Sequence, residues 1–242
     1  MQYAISTHCF SALPLADALE KLAPHTKHVE IMSSGRHFLE NAEPLASFNF
    51  HWSIHAPTDG VNPASVLEPV RKASVKVICD TFAVAAEAGA PVVFHPGNYA
   101  WKQEREAACA ALSRSLAELH AFANECGVEF FAENMGNWGL FFLQSPEDLS
   151  LFSGTKFCLD VGHANECKTL DAFLNVPFSH IHLHDNAGDA DTHSAIGEGT
   201  IDFAAVLAKI AENRVEHPVI ECAAFEDVLK SLAALQKMEE NV

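Results

Sequence analysis

Side chains able to hold a metal or move a proton recur in this chain at the ends of short apolar runs. His55 closes one such run, His95 the next, Glu133 the next and Asp160 the next, with His163 three residues further on. Another run carries His180, His182 and His184 at alternate positions, the loop after it adds Asp191 and His193, and the last run ends in Glu221. Singly, each has an ordinary explanation. A histidine at a strand end is commonly a hydrogen-bonded structural residue, and a glutamate there is a cap or a surface charge. Gathered at one place they would repel and desolvate one another at great cost unless a counter-charge sat among them. A divalent cation supplies it. Mixed imidazole and carboxylate donors suit Zn2+ or Mn2+, and also Fe, Co or Ni, whereas an all-oxygen set would favour Mg2+. The donors outnumber what one tetrahedral ion uses, so one to three ions are expected.

What must position these residues is a recurring unit: a short β-rich run, a loop, then a helix-period stretch. Candidate strands cover residues 3–6, 28–32, 50–55, 91–95, 128–133, 156–160, 180–184 and 218–221. The clearest helical pattern spans 104–126, where Ala108, Leu112, Leu116, Leu119 and Ala123 share one face and Gly127 ends it. A second spans 63–88 and stops at Gly89. Eight strands alternating with helices imply parallel βαβ units, and closing them gives an α/β fold, a single (β/α)8 TIM barrel over residues 1–242. An open doubly wound sheet would announce a Gly-rich phosphate loop after its first strand, and SerThrHisCys at 6–9 is not one. In a TIM barrel the strand ends converge on one mouth, which turns the scattered donors into a single site.

Alternation gives some depth to the histidines. Residues 180, 182 and 184 share a strand face, with His180 deepest and His184 nearest the mouth. Spacing alone leaves open which of them binds metal, and His180 reads as a polar member of the barrel interior. His8, at the end of the first strand, is a candidate for the pocket wall, and Glu30, inside the second, for a carboxylate that orients a ligand. Neither is assigned as a ligand.

Length and composition agree with such an enzyme. The chain has 242 residues, with 49% hydrophobic and 19% charged, close to the roughly 250 residues of one barrel. Seven scattered cysteines contain no CxxC pair and read as small hydrophobes in a reducing compartment. No apolar run is long enough to span a membrane and the N-terminus lacks a signal-peptide pattern, so a cytoplasmic protein without membrane contact is expected. Fifteen Lys and Arg against 32 Asp and Glu give a net charge of −17. That surface disfavours nucleic acid, whose binding relies on clustered cations, and favours a small-molecule substrate. A homo-oligomer is compatible with the sequence, which is silent on assembly.

Five motifs in this order, ValPheHisProGly (93–97), AlaGluAsnMetGly (132–136), LeuAspValGlyHis (159–163), HisLeuHisAspAsn (182–186) and IleGlyGluGly (196–199), carry a resemblance. The chain from about His55 to Glu221 resembles the xylose isomerase-like TIM-barrel superfamily. That superfamily includes sugar and sugar-phosphate isomerases and epimerases and the apurinic endonuclease IV-type enzymes. Its endonuclease branch uses three zinc ions and nine ligands, which fall on His55, His95, Glu133, Asp160, His163, His182, Asp191, His193 and Glu221. The resemblance implies that Glu133 bridges two ions, that His182 rather than His184 is the ligand, and that His163, Asp191 and His193 hold the third. The isomerase branch implies one ion, on Glu133, Asp160, His182 and Glu221. There the two glutamates move a proton between carbons beside a polarised carbonyl, and His163 meets a substrate oxygen. His184 and Arg36 are the candidate substrate contacts, Arg36 by likeness to a phosphate-contacting arginine.

Two departures bear on the choice. AsnAlaGly (186–188) stands where epimerases commonly place an arginine, and the AlaProThrAspGly loop (56–60) lacks the bulky DNA-inserting side chains of the endonucleases. The expected function is therefore a metal-dependent isomerase or epimerase of a small sugar, sugar phosphate or related hydroxy-carbonyl compound. The alternative is a multinuclear zinc phosphoesterase. A barrel that binds metal or sugar without turnover accounts less well for two carboxylates placed for acid–base work.

Overall fold

Strands covered by helices on one side and packed against one another on the other must alternate in what they present. In the computed structural model, which describes residues 1–240, they do. Eight parallel strands close in sequence order: β1 (Ala4–Ser6), β2 (His28–Met32), β3 (His51–His55), β4 (Val92–Phe94), β5 (Phe130–Glu133), β6 (Lys156–Asp160), β7 (His180–Leu183) and β8 (Val219–Ile220). The β1–β8 pair that shuts the barrel aligns Ala4 with Val219 and Ile5 with Ile220. This is the expected single (β/α)8 barrel.

The helices are α1 (Leu15–Leu22), α2 (Glu68–Ala88), α3 (Arg105–Cys126), α4 (Val161–Glu166), α5 (Leu170–Phe173), α6 (Phe203–Asn213) and α7 (Phe225–Glu239). The helical pattern over 104–126 matches α3, which follows a 3-10 turn at Lys102–Glu104. The stretch 63–88 is helical only from Glu68. Pro69 sits in the first turn of α2, where its missing N–H does no harm, and the five residues before Glu68 stay irregular. Gly89 and Gly127 end α2 and α3 in the left-handed conformation, at φ 65° and 69°. Strict alternation of strand and helix does not hold throughout. Among the described residues, the connections after β2 and β5 contain 3-10 turns (Gly35–His37, Glu43–Leu45 and Pro146–Phe152) and no α-helix.

Outward strand residues such as Ile31, Ile54, Phe94, Leu159 and Ile181 join the main core beneath the helices. The inward face is different. Its apolar part is a small separate cluster of Val93, Phe131 and Cys158, with the His180 ring stacked on Phe131 at 5.1 Å. Around and above that plug the inward positions turn polar: Ser6, Glu30, Ser53, His55, Glu133, Asp160 and His182, all buried. Burying polar groups at this density is tolerable only if each is paired, and the pairing is what makes the site.

Candidate functional site

The barrel brings all nine sequence-predicted donors to its C-terminal mouth, in three adjoining groups. Glu133, Asp160, His182 and Glu221 form the first, His55, His95 and Glu133 the second, and His163, Asp191 and His193, with His184, the third. In each group one donor atom per residue lies within 4.8 Å of the others, and Glu133 belongs to two groups. A cavity of about 670 Å³ opens above them, and Glu133, Glu221, His163 and Trp138 are among its walls.

The tautomers test whether a cation fits. The Nδ1–H of His55 donates to the Ala56 carbonyl at 2.8 Å, because a carbonyl can only accept, and Nε2 then faces Glu133 Oε2 at 2.9 Å. His163 donates Nδ1–H to the Asn134 carbonyl at 2.9 Å, leaving Nε2 3.5 Å from Asp191 Oδ2. His193 donates Nδ1–H to the Glu221 carbonyl and turns Nε2 to Asp191 Oδ2 at 3.1 Å. His182 is reversed. Its Nε2 lies 2.8 Å from Glu30 Oε1, close but poorly aligned for a hydrogen bond, and Nδ1 faces Glu133 Oε1 at 3.0 Å and Glu221 Oε2 at 3.2 Å. Each ring is thus approached by an outer partner at one nitrogen and meets carboxylate oxygens at the other. Two lone pairs do not face each other at about 3 Å unless a proton or a metal ion lies between them. One nitrogen fixed from outside and the other aimed at a shared centre is how metal-bound histidines are arranged. The donor set fits a divalent cation.

The same carboxylate–imidazole contacts set which groups hold protons. Burial alone would lower the His163 pKa, yet Asp160, Asp191 and Glu133 outweigh it and hold it well above the ordinary value. For His182, burial is likewise overcome by Cys158, Glu30, Glu221 and Glu133. His193, buried against Asp191, is pushed up to about 9. Burial would raise the Glu133 carboxyl, but His182, His95 and His55 hold it well below its usual range. His95 goes the other way: burial lowers it, and Glu133 compensates only in part.

Several residues lie elsewhere than the sequence suggested, or had no signal in it. Arg36 is exposed on the turn Gly35–His37. Gly35 and His37 line the cavity, and Arg36 between them is not among its lining residues. His184, expected nearest the mouth, is fully buried and absent from the cavity wall, because β7 stops at Leu183 and Asp185 leaves it to form an antiparallel bridge with Ser194. His8 does line the cavity. Glu30, fully buried, accepts from Ser53 Oγ and pairs with His180 Nε2, both at 2.8 Å, besides approaching His182. Asn134 clasps the Asp160 backbone from both sides, accepting from its N–H at 2.7 Å and donating to its carbonyl at 2.9 Å. Trp138 stands edge-on to His163 with ring centroids 4.8 Å apart.

Asp185 explains why HisLeuHisAspAsn and IleGlyGluGly occur together. Its carboxylate accepts from the backbone N–H groups of Asn186, Gly197, Gly199 and Ile201 at 2.9–3.2 Å. It thereby ties down the loop that carries Asp191 and His193. Asp185→Ala is expected to cost about 3 kcal/mol of stability, since two buried and two part-buried donors lose a charged acceptor at once. Urea unfolding measures it, and a change under about 1 kcal/mol would mean that water replaces the carboxylate.

Known proteins share this architecture. The uncharacterised Methanocaldococcus jannaschii protein MJ1614 is 34% identical over 218 residues, covering 84% of this chain and 85% of that one. A D-tagatose 3-epimerase-like protein superposes with a TM-score of 0.90 at 29% identity, covering 100% of this chain and 98% of its own. The TTHB071 protein from Thermus thermophilus, in a crystal soaked with ZnCl2, gives 0.79 at 25%, covering 100% and 98%. Endonuclease IV from the same organism, at 19% identity and a TM-score of 0.69 over the whole of both chains, shares the fold. The family model described as xylose isomerase-like TIM barrel matches residues 15–240, and the chain belongs to that family.

Proposed function

We propose that this protein is a metal-dependent isomerase or epimerase acting on a small sugar, sugar phosphate or related hydroxy-carbonyl compound. The observation that carries the reading is the buried group Glu133, Asp160, His182 and Glu221, a complete donor set for one ion in which both glutamates also line the cavity. When bound, a divalent ion polarises a substrate carbonyl and acidifies the C–H beside it. Glu133 and Glu221 are the proton carriers: one removes the proton from carbon and the other returns one to the neighbouring carbon or the opposite face. Ser6 Oγ donates to Glu221 Oε1 at 3.0 Å and steadies that carboxylate for the transfer. His163, held through Nδ1 by the Asn134 carbonyl, presents Nε2 towards a substrate oxygen. Trp138 walls the cavity beside it. The likeness to a D-tagatose 3-epimerase-like protein supports this reading.

The second reading, a multinuclear zinc phosphoesterase, draws on the two further donor groups around His55 and His95 and around His163, Asp191 and His193. The cavity speaks against DNA as its substrate. Among the described residues lining it there is no Lys or Arg, while Asp59, Asp191 and two glutamates are there.

The test is to incubate metal-loaded protein in D2O with a panel of ketoses, aldoses and their phosphate esters. Deuterium should enter the carbon next to the carbonyl, read by NMR, together with the epimer or isomer. Absence of exchange across the panel, with hydrolysis of a phosphodiester instead, would overturn the isomerase reading in favour of the second.

A further inference from the structure

One fully buried histidine at the centre has no part in the proton transfer. His184 places Nε2 3.0 Å from Asp160 Oδ1 and 3.2 Å from Oδ2. Among the described residues its Nδ1 has no hydrogen-bond partner, so the proton sits on Nε2, which is committed to Asp160, with Asp191 Oδ1 further off at 3.8 Å. The ring lies flat on His193, centroids 3.8 Å apart and planes 13° from parallel, while His8 stacks on His193 at 4.9 Å. On its Gly162 side there is no room to spare. A Cβ on Gly162 would fall 1.9 Å from His184 Cε1, so only glycine leaves the niche this ring fills.

Distance alone would admit His184 as a fourth ligand beside His163, Asp191 and His193. Ring geometry excludes it from sharing an ion with His193. An imidazole lone pair lies in the ring plane, and two stacked, nearly parallel planes have no common point at which one ion could sit.

We propose that His184 is a positioning residue that holds two parts of the metal centre in register. Its Nε2–H fixes the rotamer of Asp160, which belongs to the group with Glu133, His182 and Glu221, and its face braces His193, which belongs to the group with His163 and Asp191. The niche opposite Gly162 locks the ring in the one orientation that does both. This rests on the metal-dependent reading above.

The experiment separates donor from ring. His184→Phe keeps a flat ring to stack and removes the donor, whereas His184→Gln keeps an N–H donor and removes the ring. Chelator-stripped wild type and both variants are titrated with Co2+ by calorimetry, with the visible spectrum recorded at each step and the melting temperature of the metal-free form as control. Affinity is expected to fall about 10–100-fold in His184→Phe, the range typical of losing a partner that orients a ligand. The Co2+ band should change in shape, with metal-free melting close to wild type, and His184→Gln, which keeps the donor but loses the brace on His193, should recover part of the affinity. Wild-type affinity and spectrum in His184→Phe would overturn the proposal, as would collapse of both metal-free variants, which would make the residue a packing element. If wild type itself takes up no Co2+, it is the metal-dependent reading that has failed.

Discussion

Replacing Glu221 or Glu133 with glutamine is expected to lower turnover by about three orders of magnitude, within the range that general acid–base catalysis supplies. Both changes keep the shape of the side chain and remove its basicity. Glu221 is the cleaner test, because its outer contact is the hydroxyl of Ser6, which can donate to an amide oxygen as it does to a carboxylate. Both glutamates belong to the donor set, so both variants are compared at matched metal content. The Glu133 carboxylate faces nitrogens of His55, His95 and His182, whereas that of Glu221 faces His182, so Glu133→Gln should lose more metal than Glu221→Gln. Asp191→Ala is the comparison that gives these losses meaning. Asp191 stands outside the four-residue group and, among the described residues, meets only His163, His184 and His193 at ion-pair distance. If the two glutamates carry the proton, Asp191→Ala retains a substantial fraction of wild-type turnover. Equal loss in all three variants, measured as kcat with metal content checked, would point to a multinuclear centre.

Stripping the metal should abolish turnover and also soften the fold. Four carboxylates and five imidazoles meet at the mouth, and without the ion they rely on displaced protons to offset their charges. A ligand present at about a thousand times its dissociation constant stabilises the folded state by about 4 kcal/mol. For a chain of this length each kcal/mol is worth roughly 2–4 °C. Chelator treatment is therefore expected to lower the melting temperature by about 8–16 °C, reversed by Zn2+ or Mn2+. Because the histidines bind metal only when deprotonated, apparent affinity should fall as the solution is acidified. Unchanged melting after verified metal removal would mean that the donors pair among themselves without need of a cation.

The barrel and the convergence of its donors are legible in the sequence for one physical reason. Alternation has period two, so the last inward residue of a strand is fixed once the strand is recognised. His55, Glu133 and Asp160 each close a strand whose preceding residue, Ile54, Ala132 or Leu159, packs outward under helices. The tautomer anchors are not legible, because they are carbonyl groups of Ala56, Asn134 and Glu221, which no side-chain pattern reveals. Asn134, Asp185 and Gly162 sit inside recognisable motifs, but their work is backbone clasping and clearance, visible only when loops from different strands meet. Height along β7 places His184 beside His163, Asp191 and His193 but does not reveal its burial: the chain leaves the strand after Leu183, and the ring lies beneath His193 rather than on the cavity wall. Arg36 is suggested by likeness rather than by pattern, and the turn that replaces a helix after β2 leaves it in solvent.

The most direct test of the metal-dependent isomerase is the metal content of protein purified without chelator or added metal, measured by elemental analysis against amino-acid quantitation. The expected result is one divalent ion per chain, retained through gel filtration and lost in Asp160→Asn. Two or three zinc ions per chain would contradict the isomerase reading and favour phosphate-ester hydrolysis. A chain that holds no metal, and takes none up when offered Zn2+ or Mn2+, would contradict the metal centre itself.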